Sequence, residues 1–358
     1  MTPDELFART KEYYDFGVHR TGTEADRATA DWFFGHLHDL GATVERRQVA
    51  FDRYVAEATL VDRAGEAIPC EAVFYEFLGQ FEGSDLAVAT APTRATGSAT
   101  GFDGLLVDRS DPLVIVSEDG PPGHVVMPNR PTGACERPPA VVVPSDVADR
   151  LDGATLTVDA RLAPGVCESS SAVVGSGPPI TLTTPLSGWF GCASERGSGA
   201  AVTFDLVERL RASHTVTVVA CSGHELDHLG LHRWLDDAAP RRSVPEGPVV
   251  HLGASVAAAV EGELEPRVVL QGSEAPPAWL DELAAIVAPA NYQVVPVDDP
   301  WPGEGRNWRQ HTAEVLSFTG AARWFHTTGD TPQAATSPAA LGRARDAIWA
   351  AVQAWLER

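Results

Sequence analysis

The sequence has few lysines and no long apolar run. Lys11 is the only lysine among 358 residues, and 27 basic against 49 acidic residues give a formal net charge of −22. Phosphate backbones and anionic lipids repel so acidic a chain, so we expect neither nucleic acid nor a membrane as a partner. No apolar stretch approaches the roughly 20 residues that a membrane-spanning helix requires.

Cysteine is also scarce, and a secretory signal is not evident. The five cysteines are an odd number without close pairs, which is typical of free thiols and not of a disulfide framework. The first residues are acidic and lack a basic flank followed by an apolar core. We therefore expect a cytoplasmic protein.

Residues 2–40 are predicted to be helical and residues 43–54 to form a strand, and an α/β pattern begins at residue 171. Apolar residues recur at helical spacing from 25 to 40, after Thr23, which can cap the helix, and before Gly41, which can end it. After residue 171, predicted strands alternate with predicted helices, which indicates a sheet covered by helices. The clearest are the strands 180–183, 216–221 and 249–252 and the helices 198–211 and 229–238.

The region between these two parts differs in character. Short apolar segments are separated by glycine, proline and aspartate, which predicts a small β-rich domain. Its predicted strands are 105–107, 113–116, 141–143 and 155–158.

The segment 215–234 is the most informative about chemistry. β-Branched residues run into Gly223, and His224 and Glu225 follow at once. Open α/β sheets place reactive side chains in this way, at the carboxyl ends of their strands. His224, Glu225 and His228 also fit the pattern His-Glu-x-x-His, which needs both histidines on one helical face. Because His224 directly follows a strand, we favour a turn there and a surface or partly buried position for His228.

A second such place is the segment 324–330, with His326 at its centre. These two segments, together with the opening Arg20–Glu24, resemble the di-zinc aminopeptidase superfamily, which includes glutaminyl cyclases and the non-catalytic transferrin receptor. The resemblance covers most of the chain. It implies a zinc-exopeptidase-like three-layer core with a mixed sheet, formed by residues 1–50 and 171–358, and a protease-associated-like insert at 51–170.

The resemblance also implies a degenerate metal centre. The aminopeptidases of the superfamily bind two metals, and the ligands expected for one of them match Glu195, Glu225 and His326. The two further ligands of the other metal fall at Thr184 and Gly253, which cannot replace them. We therefore predict at most one zinc ion, and the alternative of no metal stays open.

Several other residues are candidates for catalysis and substrate binding. The resemblance places His224 at the position of the general base, and an imidazole can take a proton near neutrality. Cys192 could instead act as a nucleophile without metal. Residues predicted to line the substrate pocket or to hold a substrate carboxylate are Trp189, Arg196, Arg306 and Trp308.

The leading functional prediction is a hydrolase or acyl-transfer enzyme acting on a small amino-acyl or peptide-like substrate. A bound zinc would acidify a water molecule or polarise a carbonyl group. Two alternatives remain: a metal-free, repurposed biosynthetic enzyme on the same scaffold, and a non-catalytic binding protein, that is, a pseudo-peptidase. An insert of this type can close over a site or pair subunits, so a homodimer is also an open expectation.

Overall fold

The fold was analysed in a computed structural model that describes all residues except 94–99, 108, 131, 134, 239–246, 258–267, 273–276, 296–300 and 313. Its strands are β1 (Thr43–Glu45), β2 (Gln48–Val61), β3 (Ala67–Ile68), β4 (Glu71–Ala72), β5 (Gly79–Gly83), β6 (Ala87–Ala91), β7 (Leu113–Ser117), β8 (Ala140–Val143), β9 (Thr155–Gly175), β10 (Pro179–Pro185), β11 (Thr215–Cys221), β12 (Val249–Leu252), β13 (Val268–Gly272), β14 (Tyr292–Val294) and β15 (Val315–Gly320).

The helices lie mainly in the N-terminal segment and after β10. They are α1 (Pro3–Asp15), α2 (Glu24–Asp39), α3 (Thr100–Leu106), α4 (Ser198–Leu210), α5 (Leu229–Ala238), α6 (Pro277–Val287), α7 (Gly305–Trp308), α8 (Pro332–Ala335) and α9 (Pro338–Leu356). A π-helical turn at Ala193–Gly197 and a 3₁₀ turn at His224–Leu226 carry residues of the candidate site.

A large mixed sheet organises the core. Among the described residues it has eleven strands, in the order β14-β13-β15-β12-β10-β11-β9-β2-β3, with β1 and β5 also pairing with β9. Strands β11, β10, β12 and β15 are parallel neighbours, whereas β9 is antiparallel to β11 and β13 is antiparallel to β15. The carboxyl ends of the four parallel strands therefore meet at one edge.

Helices cover both faces of this sheet. Val218 and Ala220 of β11 pack into a hydrophobic cluster with α1, α2, α4, α6 and α9. Val219 and Cys221 of the same strand point the other way, into a cluster with Trp234 of α5. This alternation follows from the two-residue period of a strand. The predicted three-layer core with a mixed sheet is confirmed.

The middle of the chain builds a second hydrophobic cluster around a four-stranded sheet, in the order β4-β8-β7-β6. The long antiparallel strands β2 and β9 connect it to the core without a break, in register from Gln48 opposite Glu168 to Val61 opposite Thr155. Both strands therefore cross the predicted boundaries of the insert, at residues 51 and 170. The division into two domains stays a prediction.

Most local predictions agree with the structure. The side chain of Thr23 accepts a hydrogen bond from the backbone N of Asp26, and Gly41 ends the helix region with a φ of 91°. The predicted strand at 105–107 is wrong, because Leu106 belongs to helix α3. A short apolar run does not by itself distinguish a buried strand from a buried helix. No described helix is long and apolar enough to span a bilayer.

Candidate active site

The turn after β11 brings His224 and Glu225 to the carboxyl edge of the sheet. Gly223 has a φ of 86°, and a Cβ atom there would lie 2.8 Å from Leu229 Cβ, so only glycine fits without strain. Asp227 and His228 also have positive φ values, 56° and 61°. A 3₁₀ turn at His224–Leu226 is followed by these two left-handed residues, so no α-helix joins the two histidines and they do not share one helical face, as expected.

The carboxylate of Glu225 is held on the side of the N-terminal segment. Its Oε1 accepts a hydrogen bond from the backbone N of Thr21 at 2.6 Å, and its Oε2 accepts one from Ser187 Oγ at 2.8 Å. Ser187 Oγ in turn accepts hydrogen bonds from the backbone N of Gly223, at 2.8 Å, and of His224, at 3.3 Å. Each carboxylate oxygen of Glu225 therefore accepts a hydrogen bond from the protein.

The side chains of Glu195 and His326 lie close together, and the guanidinium of Arg196 contacts the same Glu195 carboxylate. Glu195 Oε1 lies 3.5 Å from His326 Nε2 and 2.8 Å from Arg196 Nη2. Asp330 fixes the π-helical turn, because its carboxylate accepts hydrogen bonds from the backbone N of Ser194 and of Glu195, at 2.8 and 2.9 Å. A guanidinium group thus contacts the same carboxylate oxygen as the imidazole.

These positions do not form a zinc shell in this conformation. Four donors about 2.0–2.2 Å from one point are required for zinc bound by oxygen and nitrogen. Glu195 and His326 face each other, but Glu225 is engaged elsewhere, and the described residues contain no group of three or more His, Cys, Asp or Glu that could hold a metal ion. The present donor set therefore does not fit zinc, and the zinc ligands stay a prediction.

A second group of polar side chains lies beside His224. Its Nδ1 lies 3.2 Å from Oε1 of Glu304, which comes just before α7. A Cβ atom on Gly303 would lie 3.8 Å from His224 Cε1 and 3.9 Å from His251 Cε1, so the two imidazoles border the same small space. His251 is placed by β12, and its Nδ1 lies 2.8 Å from Ser317 Oγ on β15.

Burial keeps this second group uncharged at neutral pH. Burial and the positive charge of Arg196 lower the pKa of His224 well below 6.5, and burial lowers the pKa of His251 to about 3. Burial also raises the pKa of Glu304 to about 8. At pH 7 the pair therefore consists of a neutral imidazole and a protonated carboxyl group, which suits proton transfer better than ion pairing.

Cys192 lies next to Glu195 but lacks the surroundings of a nucleophile. Its Sγ lies 3.6 Å from Glu195 Oε2, and burial together with the charge of Glu195 raises the thiol pKa well above 9. Reactive cysteines have a lowered pKa, because the thiolate is the nucleophile. A packing role is favoured by this environment, and the catalytic role of Cys192 stays a prediction.

The four predicted substrate-binding residues lie in different places. Arg196 is fully buried in the site. Trp189 donates its indole N–H to Asn129 Oδ1 at 3.0 Å and packs in the cluster of the middle region. Trp308 packs under α5, in the cluster with Trp234. Arg306 lies at the surface, where it pairs with Asp227 at 2.8 Å. Only Arg196 therefore contacts the predicted ligands.

A segment of the middle region covers the site. The backbone N of Met127 donates to His326 O at 3.1 Å, and that of Arg130 donates to Glu225 O at 2.9 Å. With the bond from Trp189 to Asn129, these contacts close the site from solvent, and His224, Glu225 and His326 are each at most 5% exposed. A cleft of about 310 Å³ does not include these three side chains; its lining residues are Gly22, Thr23, Glu24, Asp26, Arg27, Ala30, Gln48, Val166 and Glu168.

Sequence reasoning missed Glu304, His251 and the buried position of His228. The ring of His228 lies 4.7 Å from that of His224, and its Nδ1 lies 2.7 Å from Asn307 Oδ1. Two signals were available: Glu304 stands between two glycines, and His251 is a polar residue within an apolar strand. Neither signal identifies the side chain that Glu304 or His251 contacts in the folded protein.

The fold of this chain is similar to that of a solved zinc aminopeptidase. BSAP, a zinc aminopeptidase from Bacillus subtilis, matches with a TM-score of 0.74 at 15% identity, over 98% of this chain and 94% of its own. A peptidase M28 precursor from Shewanella amazonensis matches with a TM-score of 0.70 at 15% identity, over 99% and 95%. A glutaminyl cyclase from Porphyromonas gingivalis matches with a TM-score of 0.52 at 11% identity, over 99% and 98%.

The other two comparisons add nothing: no protein-family model and no curated protein matches the sequence. At 15% identity, likeness to solved structures shows the fold and not the activity. The fold expected from the resemblance to the di-zinc aminopeptidase superfamily is confirmed.

Proposed function

We propose that this chain is an enzyme built on the zinc-aminopeptidase fold. It acts on a small amino-acyl or peptide-like substrate by hydrolysis or another acyl transfer, with His224 as acid and base. The proposal is supported by similarity to peptidases and to a glutaminyl cyclase, which catalyse reactions of this general kind in the same fold.

The single observation that carries the proposal is the buried contact between His224 and Glu304. With hydrogen on Nδ1, the imidazole donates to Glu304 Oε1 across 3.2 Å, which leaves the lone pair of Nε2 free for a proton. The carboxyl group orients the ring, as the partner of a catalytic histidine commonly does. Burial keeps the ring uncharged at neutral pH.

In the proposed reaction, a water molecule or an amine attacks the carbonyl carbon of the substrate. As the new bond forms, the nucleophile gives its proton to Nε2 of His224. The same proton then passes to the leaving group as the bond from that group to the carbonyl carbon breaks. The imidazole is neutral again at the end, so atoms and charges balance within one cycle.

The geometry favours the metal-free form of this enzyme over the single-zinc form. Both oxygens of Glu225 have hydrogen-bond donors, and Glu195 is paired with Arg196. When bound, zinc would polarise the substrate carbonyl, but Glu225 would first have to leave Thr21 and Ser187. We derive no step through zinc.

Turnover tests the proposal directly. Purified protein would be incubated with amino-acyl p-nitroanilides and small peptides, and products would be identified by mass spectrometry. We expect turnover that falls about 10²–10⁴-fold in His224→Gln, the range that general acid–base catalysis typically contributes. His38→Gln is the matched control, because the side chain of His38 is 77% exposed.

Two results would contradict the proposal. Turnover unchanged in His224→Gln would remove His224 from the chemistry. Tight binding of a peptide without any product would favour the non-catalytic binding protein instead. The homodimer and the cytoplasmic location stay predictions, which sedimentation and cell fractionation can test.

A further inference from the structure

We infer that Arg196 is the fixed cation of this site: its guanidinium pairs with Glu195 where a metal ion was expected and presents its remaining N–H groups to the carbonyl oxygen of the substrate. The catalytic part of this inference rests on the proposed function. The pairing with Glu195 does not.

The first argument is the position of the guanidinium. Arg196 Nη2 lies 2.8 Å from Glu195 Oε1, and His326 Nε2 lies 3.5 Å from the same oxygen. A cation shared by Glu195 and His326 would have to contact that oxygen. Since a positively charged side chain already does so, a zinc ion there would meet strong like-charge repulsion.

The second argument is the reduced negative charge around the site. The resemblance expects two further ligands at Thr184 and Gly253, and neither residue carries a carboxylate or an imidazole. The structure puts the two positions side by side: a Cβ atom on Gly199 would lie 3.0 Å from Thr184 Oγ1 and 3.4 Å from Gly253 O. Thr21 and Ser187 hold the carboxylate of Glu225, so Glu195 is the carboxylate that contacts Arg196, and its single negative charge balances that of the guanidinium.

The third argument is the unused hydrogen-bonding capacity of Arg196. The side chain is fully buried, and its Nε donates to Ser187 O at 2.9 Å. Neither Nη1 nor Nη2 forms a hydrogen bond with any part of the chain that the structure describes, although Nη2 is close to Glu195. Buried donors of a charged group are rarely left unmade, so these N–H groups point to a ligand.

The ligand atom that suits them is a carbonyl oxygen. The charge of Arg196 also acts on His224, His251 and Glu304, so the guanidinium lies within electrostatic range of the proposed base. When the nucleophile attacks, the carbonyl oxygen becomes negative, and donors already in place stabilise that charge without rearrangement. Arginine would thus supply in this chain what a metal ion supplies as a Lewis acid.

Metal content is the first test, and it does not need activity. Protein purified without added metal would be loaded with zinc chloride, gel-filtered and measured by mass spectrometry of the elements. We expect no stoichiometric zinc in the wild-type chain. About one zinc per chain that disappears in Glu195→Gln would overturn the inference.

A double-mutant cycle is the second test and also needs no activity. Arg196→Met, Glu195→Gln and the double variant would be unfolded in urea. We expect the two substitutions to couple by about tenfold or more in the unfolding equilibrium constant, as groups in direct contact do. Additive effects would contradict the pairing. Circular dichroism first confirms folding, and Arg196→Lys replaces Arg196→Met if that variant does not fold.

Kinetics are the third test and address the catalytic part. We expect Arg196→Gln to lower kcat about 10²–10³-fold with little change in KM, as loss of an oxyanion donor does, and Arg196→Lys to recover part of it. Arg109→Gln is the matched control, since Arg109 is also a largely buried arginine but pairs with Glu76 in the middle region. A wild-type kcat in Arg196→Gln would overturn the catalytic role.

The outcomes separate the two proposals. If no substrate is turned over, the proposed function fails, whereas absence of zinc and coupling in the cycle would still support Arg196 as the fixed cation. If turnover depends on His224 but the wild-type chain holds zinc through Glu195, the proposed function stands and the inference about Arg196 fails.

Discussion

The carboxylate of Glu225 is bound by the backbone N of Thr21, at 2.6 Å from its Oε1, and not by a group shared with Glu195 and His326. The segment before α2 therefore takes part in building the site, although it lies 204 residues away in the chain. This relationship ties the local geometry after β11 to the N-terminal helices.

The substitution Glu225→Gln tests whether this carboxylate is structural. Thr21 and Ser187 donate to different oxygens of Glu225, and glutamine replaces one of these oxygens by an NH2 group, so one buried donor is left without an acceptor. We expect a loss of about 1–3 kcal/mol in the free energy of unfolding, measured in urea. Glu57→Gln, at an exposed position, is the control and should change little. Equal stability of the two variants would contradict the assignment.

Glu304 should make stability depend on pH in a defined direction. Its folded pKa of about 8 lies above the ordinary value of 4.5, so the folded state binds more protons between these values. The stability that the neutral carboxyl contributes is complete below pH 4.5 and is lost as the pH rises through 8. The free energy of unfolding of the wild-type chain should therefore decline between pH 4.5 and 8. We expect this decline to be smaller in Glu304→Gln, by up to about 1.4 kcal/mol per pH unit.

Urea unfolding at several pH values between 5 and 8.5 measures the effect of Glu304→Gln. Asp26, with a pKa raised to about 8 by burial, contributes a decline of the same sign and is unchanged in the variant, so the difference between the two proteins isolates Glu304. Parallel pH profiles would show that Glu304 does not titrate as its burial implies.

His251 should have the opposite effect on the acid side. Burial lowers its pKa to about 3, below the ordinary 6.5, so its contribution to stability is present above pH 6.5 and is lost as the pH falls. We expect His251→Gln to lose less stability than the wild-type chain between pH 6.5 and 4, in thermal unfolding. His38→Gln, at an exposed position, should follow the wild type.

The segment 121–130, which covers the site, should open more often when its side-chain hydrogen bond to Trp189 is removed. Asn129→Ala deletes the acceptor of the Trp189 indole N–H, a part-buried bond of 3.0 Å. We expect faster hydrogen exchange in residues 121–130 and a loss of about 1 kcal/mol in the free energy of unfolding. Gln80→Ala, which removes an exposed hydrogen bond to Asp159, is the control. Unchanged exchange would show that the backbone bonds alone hold the segment.

Local sequence determined much of the fold. The cap at Thr23, the glycine at 41 and the strand running into Gly223 act within a few residues, and the two-residue period of β11 assigns its side chains to opposite faces. The motifs around Glu225 and His326 led to the correct fold through the resemblance to the aminopeptidase superfamily that they carry.

Only the tertiary structure decided what these side chains contact. The residue type of Glu225 allows it to bind a metal or to accept hydrogen bonds, and only the fold brings Thr21 and Ser187, distant in sequence, close enough to donate to it. Glu304 likewise meets His224, 80 residues away in the chain, only because the fold brings them together. The physical reason is that chain-local terms set dihedral angles, whereas burial and electrostatics depend on which distant groups the fold brings within a few ångströms.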